Sequence, residues 1–121
     1  MSAVRALRGA TTLDVDTRDH MHERVKALLH ELFERNGIHP DDIVSILFTA
    51  TQDIHGSFPA EAARAFGLVD VPLMCAAELE VDGGLPRCVR VMLHLYTDRS
   101  RDQLRHVYLE GARGLRRDLE R

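Results

Sequence analysis

The sequence predicts an α+β domain built on a mixed β-sheet of about five strands, with one long and one short helix. Three segments carry this prediction: residues 21–33 repeat apolar positions at helical spacing, residues 88–97 alternate in polarity, and residues 43–51 form a near-continuous apolar run. The chain has 121 residues, and shorter halves would lack a core of their own. We therefore expect a single domain, 1–121.

The N-terminal part predicts a strand followed by the long helix. Residues 4–12 mix β-branched and apolar side chains and break at Gly9, which would place Arg8 where the strand ends. Residues 16–17 supply a helix cap, and the Asn-Gly pair at 36–37 stops the helical pattern.

The middle of the chain predicts a turn or short helical entry at 40–42 and then a strand at 43–51. Because this run is apolar almost throughout, it is expected to be buried on both faces and central in the sheet. A polar loop follows at 52–57. Pro59 then stands at a likely first helical position, and Gly67 ends a helix of two turns.

The C-terminal half predicts strands at 71–76 and 88–97. In the second, period-2 alternation places Arg90 mid-strand on a mostly uncharged face. Residues 106–115 fit a strand slightly better than a helix. Two helices are too few to cover both faces of such a sheet, so the uncovered apolar face is expected to meet another subunit in a homo-oligomer.

Composition argues against several classes of function. The net charge is −3, with 16 basic and 19 acidic residues, which gives no footprint for a nucleic-acid backbone. The start of the chain has no apolar leader and no stretch is long enough to span a membrane, so we expect no membrane association and a cytoplasmic location. Two cysteines are too few for a disulfide scaffold.

Familiar catalytic motifs are absent, and the scattered histidines do not predict a metal site. Arg90 is the sharpest anomaly, because a guanidinium cannot lose its proton and is seldom buried without an anionic partner. That partner could be a glutamate of the same chain or a bound anion, and the residues alone leave both open. For Cys75, a buried strand thiol is a better interpretation than a nucleophile.

The order of several short motifs is more specific than any one of them. RGATT at 8–12, FPA at 58–60, RVM at 90–92 and RHVYL at 105–109 occur in series. The chain closely resembles the monofunctional chorismate mutases of the AroH class over almost its whole length. The resemblance implies a homotrimer with a pseudo-α/β-barrel core, helices outside and active sites in clefts between adjacent subunits. It also implies cofactor-free rearrangement of chorismate to prephenate, a [3,3] Claisen step of the shikimate pathway to phenylalanine and tyrosine.

The resemblance implies a role for each matching residue of the catalytic set. Arg90 would stabilise the negative charge that develops on the ether oxygen as its bond to carbon breaks. Arg8 would pair with a substrate carboxylate, and Tyr108 would hydrogen-bond a carboxylate as well. Glu78 would accept a hydrogen bond from the ring hydroxyl, with Cys75 beside it as a polar contact.

Further positions would shape the cleft by apolar contact or by charge at its mouth. Phe58 and Leu115 would be apolar walls that hold the substrate folded, and Ala60 and Met74 would line the cleft. At the mouth, Arg64 and Arg116 would steer the substrate.

Two departures from the family pattern limit the comparison. Glu61 stands where some relatives place a lysine near the entrance, and the chain stops soon after the RRDLE segment, so no long tail is expected to fold over the site. The alternative is a trimeric Rid-type deaminase or a small-anion-binding regulatory module. Two separate arginines combined with Glu78, Cys75 and Tyr108 suit a hydroxylated dicarboxylate better than a simple imino acid.

Overall fold

A computed structural model of the chain describes residues 2–116 and 118. Its strands and helices, in chain order, are β1 Ala3–Thr12, α1 Arg18–Asn36, β2 Ile43–Ala50, α2 Pro59–Phe66, β3 Leu73–Ala77, β4 Cys88–Thr97 and β5 Val107–Tyr108. Short 3-10 turns lie at Pro40–Asp42, Arg101–Gln103 and Glu110–Ala112. The predicted α+β class, with its long and short helix, is confirmed.

All five strands form one mixed sheet in the order β3-β2-β4-β1-β5. Strand β4 is antiparallel to both β1 and β2, whereas β3 runs parallel to β2 and β5 parallel to β1. The middle strand is therefore β4. The prediction that the apolar run at 43–51 is central was wrong, because β2 lies one place away from the edge.

Both helices begin and end where the sequence predicts. Thr17 caps α1 by accepting a hydrogen bond from the backbone N–H of His20 at 3.2 Å, and Gly37 ends the helix with a φ of 58°. Pro59 opens α2, and Gly67 closes it with a φ of 118°. These positive φ values favour glycine at both ends.

The two helices pack on the same face of the sheet and leave the other uncovered. Ile46 and Phe48 of β2 are buried with Leu28 and Leu32 of α1 in the main core, whereas the intervening Leu47 is 37% exposed. Within the single chain, β2 is therefore buried on one face only, and burial of its other face stays a prediction that depends on another subunit.

Strand β1 continues beyond Gly9, so the prediction that Arg8 ends the strand was also wrong. Its pairing with β4 extends to Thr12 without interruption. A Cβ atom at position 9 would lie 3.0 Å from Val91, 3.1 Å from Leu28 and 3.2 Å from Leu32. Glycine is needed here because α1 approaches the sheet closely, not because the strand ends.

Two other boundaries differ from prediction. Strand β3 begins at Leu73 and not at residue 71, and the preceding Pro72 contributes only its carbonyl, which accepts from Ile46. The predicted strand at 106–115 is only two residues long, because Glu110 adopts a φ of 53° and Gly114 one of 90°, which turn the chain away. Most of the RRDLE segment, residues 117, 119 and 120, lies outside the described residues.

Candidate active site

A cavity of about 270 Å³ opens on the uncovered face of the sheet. Strands β1 and β4 form its floor, and the chain after β4 contributes one wall. The polar residues that line it are Arg8, Thr49, Arg90, Tyr108 and Arg116, and the apolar ones include Leu47 and Met92. Three guanidinium groups around one small cavity make it suited to an organic anion.

The pairing of β1 with β4 places two of these arginines side by side. Arg8 pairs with Met92 and Ala10 pairs with Arg90, so both arginines belong to the uncovered face. Residues two apart on a strand share a face, and strand backbones are stiff. The separation of the two cations is therefore set by the sheet and not by a loop.

Arg90 forms an ion pair with Glu78, which follows β3. Its Nε donates to Oε1 at 3.0 Å and to Oε2 at 3.2 Å, while Thr49 donates to Oε2 of the same carboxylate at 3.0 Å. The glutamate partner considered from the sequence is thus present. Because the contact uses Nε and the side chain stays 44% exposed, the terminal nitrogens remain able to donate to a ligand.

Tyr108 reaches the cavity from β5 and is 9% exposed. Burial raises its pKa, and the positive charges of Arg8, Arg116 and Arg90 offset only part of that effect. The phenol therefore keeps its proton at neutral pH. Its hydroxyl can donate a hydrogen bond to a carboxylate.

Leu115 and Arg116 lie on the same side of the molecule as Tyr108. Leu115 packs against the small cluster that contains Ala10, Cys88 and Tyr108. Arg116 donates from Nε and Nη2 to the carboxylate of Asp118 at 3.1 Å and 2.8 Å. Five site residues predicted from the sequence thus lie in or beside this cavity, and Glu78 joins them through Arg90.

The remaining predicted residues lie elsewhere in the chain. Phe58, 68% exposed, lines a second, open cavity with Cys75. Ala60 is buried in the main core, whereas Arg64 is exposed on the outside of α2. Met74 belongs to the uncovered face of β3, opposite Leu47, but does not line the arginine cavity.

Cys75 and Glu78 are not neighbours within one chain. Cys75 pairs with Phe48 and packs against the core under the helices, whereas Glu78 bonds to Thr49, whose pairing places it with Arg90 on the uncovered face. A joint contact of both residues with one substrate stays a prediction.

Position 61 carries a charge network of its own. Oε1 of Glu61 accepts from Nε of Arg18 at 2.7 Å, and Oε2 accepts from Ser57 at 3.0 Å. The hydrogen bond from Arg18, followed by that from Ser57, lowers the pKa of Glu61. The cation at this end of α2 is thus Arg18, on the first turn of α1.

Sequence reasoning missed Thr49 and Leu47 as cavity residues. The apolar run of β2 hides the alternation that would have placed them on the face of Arg90. It also gave no role to Cys88, which is fully buried beside Tyr108. Burial raises the pKa of Cys88 to about 11, against a smaller opposite effect of the Arg90 charge, so this thiol stays protonated and unreactive at neutral pH.

Two further observations concern residues 2–116 and 118. None of the described helices is long and apolar enough to cross a lipid bilayer. No group of three or more histidine, cysteine, aspartate or glutamate side chains in this part of the chain is arranged to hold a metal ion.

The fold and the cavity define a small α+β protein whose arginines surround a cavity suited to an organic anion on the open face of a sheet. Residues 4–119 match the family described as Chorismate mutase type I, and the chain belongs to that family. The resemblance noted from the motifs is confirmed, and nothing in the comparison supports the Rid-type or regulatory alternative.

Characterised relatives and a solved structure agree with this assignment. The chain is 45% identical over 117 residues to chorismate mutase AroH of Bacillus subtilis, covering 96% of this chain and 92% of the relative. It is also 45% identical to chorismate mutase AroH of Thermus thermophilus over 118 residues, 97% of each chain. A chorismate mutase structure from Clostridium thermocellum superposes with a TM-score of 0.87 at 46% identity, over 89% of this chain and 96% of that one.

Proposed function

We propose that the protein rearranges chorismate to prephenate at the arginine cavity, in aromatic amino-acid biosynthesis and without a cofactor. The observation that carries this proposal is the arrangement of Arg8, Arg90 and Tyr108 around one cavity on the open sheet face. Chorismate is a dianion with a hydroxylated ring. It offers two carboxylates and an ether oxygen to these donors.

The chemical step is intramolecular and needs no net proton transfer. The ether C–O bond breaks while a new C–C bond forms, and negative charge accumulates on the ether oxygen because breakage runs ahead. We assign Arg90 to that oxygen. Glu78 holds its Nε at 3.0 Å, so the guanidinium is oriented before substrate arrives, and such preorganisation is what makes a fixed cation effective in catalysis.

Arg8 and Tyr108 would bind carboxylates. A guanidinium can donate two parallel hydrogen bonds to a carboxylate, and a protonated phenol adds a third donor. Glu78 would accept a hydrogen bond from the ring hydroxyl at Oε1, which has one contact, with Arg90, whereas Oε2 already accepts from both Arg90 and Thr49. Arg116 would act at the cavity mouth.

We infer that the complete site is shared between subunits of a homotrimer. The arginine cavity lies on one surface of the chain, and Phe58 lines another cavity with Cys75. An open sheet face with Leu47, Met74 and Tyr96 exposed is the kind of surface that another subunit covers. In the trimer, a neighbour would supply the second group of predicted residues, Phe58, Ala60, Arg64, Met74 and Cys75.

The experiment that tests the function follows chorismate absorbance after adding the purified protein, with and without EDTA. Loss of absorbance, with prephenate as the product, is expected in both samples. A folded protein that leaves chorismate unchanged would refute the proposal. We also propose that the protein acts in the cytoplasm. Localisation of a tagged chain in cells tests this expectation.

A further inference from the structure

We propose that His106 is a positioning residue for substrate binding, acting through the backbone of Arg8. The inference rests on the proposed function, because Arg8 is the assigned carboxylate anchor. The observation behind it is a hydrogen bond from the backbone N–H of Arg8 to Nδ1 of His106, with an N···N distance of 2.9 Å. An imidazole therefore replaces a backbone carbonyl at the edge of β1.

The pairing of β1 with β5 explains why a side chain is needed there. The strands run parallel, with Gly9 opposite Val107 and Ala10 opposite Tyr108, and Leu109 N–H donates to the Ala10 carbonyl at 2.9 Å. Two residues further back, the ladder would place the Arg105 carbonyl opposite the Arg8 N–H. That carbonyl has another partner.

The other partner is Asn36, the last residue of α1. Its Nδ2 donates to the Arg105 carbonyl at 2.8 Å, and its Oδ1 accepts from the Arg105 N–H at 2.7 Å. Asn36 is buried, so this side chain holds Arg105 away from β1. The short β5 consequently begins at Val107, and Nδ1 of His106 takes the place of the Arg105 carbonyl as the acceptor for the Arg8 N–H.

The contact joins two residues of the proposed site. Arg8 lies on one side of it, and Tyr108 is two residues beyond His106 on the other. Because a backbone N–H always donates, Nδ1 must be unprotonated and the imidazole neutral with its proton on Nε2. Losing this acceptor would free the β1 edge at Arg8. The distance between Arg8 and Tyr108, the two residues proposed to donate to substrate carboxylates, would then be less tightly fixed.

Two amide variants of His106 test whether the position of the hydrogen-bond acceptor matters, because both are polar and differ in where the acceptor lies. His106→Asn keeps an acceptor at the δ position, whereas His106→Gln moves it to the ε position, one bond too far. At pH 8, where an imidazole of pKa about 6.5 is neutral, we expect His106→Gln to raise KM about three- to tenfold, with kcat little changed. His106→Asn should keep most of the wild-type affinity, and His30→Gln, an exposed change on α1, should alter neither constant.

A second measurement does not depend on activity. Exchange of the Arg8 amide proton, followed by NMR, should be faster in His106→Gln than in the wild type and in His106→Asn. Equal KM values for the Asn and Gln variants, or unchanged Arg8 exchange in His106→Gln, would overturn the inference. A wild type without turnover would refute the proposed function instead, while the exchange rates would still decide whether His106 holds Arg8.

Discussion

Nε of Arg90 lies 3.0 Å from Oε1 of Glu78, so the central strand of the sheet is tied to the segment that follows β3 at its edge. This ion pair is 44% exposed on the arginine side, which argues against a purely structural role, since half-exposed ion pairs add little to stability. The ion pair with Glu78 instead orients the Arg90 side chain. A guanidinium held at Nε presents its remaining N–H groups to a ligand in one fixed plane.

Replacing Arg90 by lysine should therefore abolish most turnover without loss of the fold. Lysine lacks the planar fork that could contact Glu78 and an ether oxygen together. We expect kcat to fall about 10²- to 10³-fold in a chorismate absorbance assay. Arg116→Lys, at the mouth, should act mainly on KM. Equal modest losses in both variants would show that Arg90 is structural.

Mixing two inactive variants should restore activity if the site is shared. Arg90→Lys disables the arginine cavity, and Phe58→Asp places an anion in the other group of residues. After co-refolding in equal amounts, about a quarter of the interfaces would combine two intact surfaces. Activity above the sum of the separate variants is expected. Strict additivity, with mixed oligomers present, would place the whole site in one chain.

Turnover should vary little with pH near neutrality. Burial raises the pKa of Tyr108 and raises that of Cys88 to about 11, so both groups stay protonated, and the rearrangement moves no proton. We expect kcat to be flat between about pH 6 and pH 9. A steep limb in the pH profile of kcat, near the ordinary pKa of histidine, would contradict this mechanism.

Stability, by contrast, should fall at alkaline pH through Cys88. Its pKa rises from 9.0 to about 11 on folding, so the unfolded thiol ionises first. The stabilisation is fully present well below the unfolded value and is lost as pH rises through the folded value, on the order of 3 kcal/mol in total. Cys88→Ala should show a smaller drop in unfolding free energy between about pH 8.5 and 10.5. An identical drop in both proteins would exclude this thiol as the cause.

Asn36→Ala should destabilise the fold by roughly 2 to 4 kcal/mol, because three hydrogen bonds of a buried amide disappear and the backbone N–H and carbonyl of Arg105 both lose Asn36 as partner. Urea unfolding at matched protein concentration measures the effect. Ala substitution of the exposed Glu34 on the same helix is the control and should change stability little. A loss no larger than that of the control would show that Arg105 finds other partners.

Helix α1 and strand β4 were predictable because each has a long, regular pattern and clear end signals. The uncovered face of strand β2 could not be recognised, because Leu47 on that face is apolar and the sequence does not distinguish it from the core residues Ile46 and Phe48. The start of β5 was unpredictable because it depends on Asn36, 69 residues away from Arg105.

The candidate site was predictable in part. Arg90 stood out as a charge within an apolar strand, and the motif series carried the other members. Its partner could not be chosen from spacing, because Glu78 reaches Arg90 only through the pairing of β2 with both β3 and β4. The separation of Phe58 and Cys75 from the arginine cavity depends on tertiary structure alone.

The uninterrupted ladder between β1 and β4 links catalysis to folding accuracy. A slip of one residue in this register would send Arg8 under α1, where Gly9 now leaves room for Leu28 and Leu32. Such a chain would bury a charge and dismantle the cavity in the same event. Misregistered molecules are therefore expected to be unstable, and they would not accumulate as folded but inactive protein.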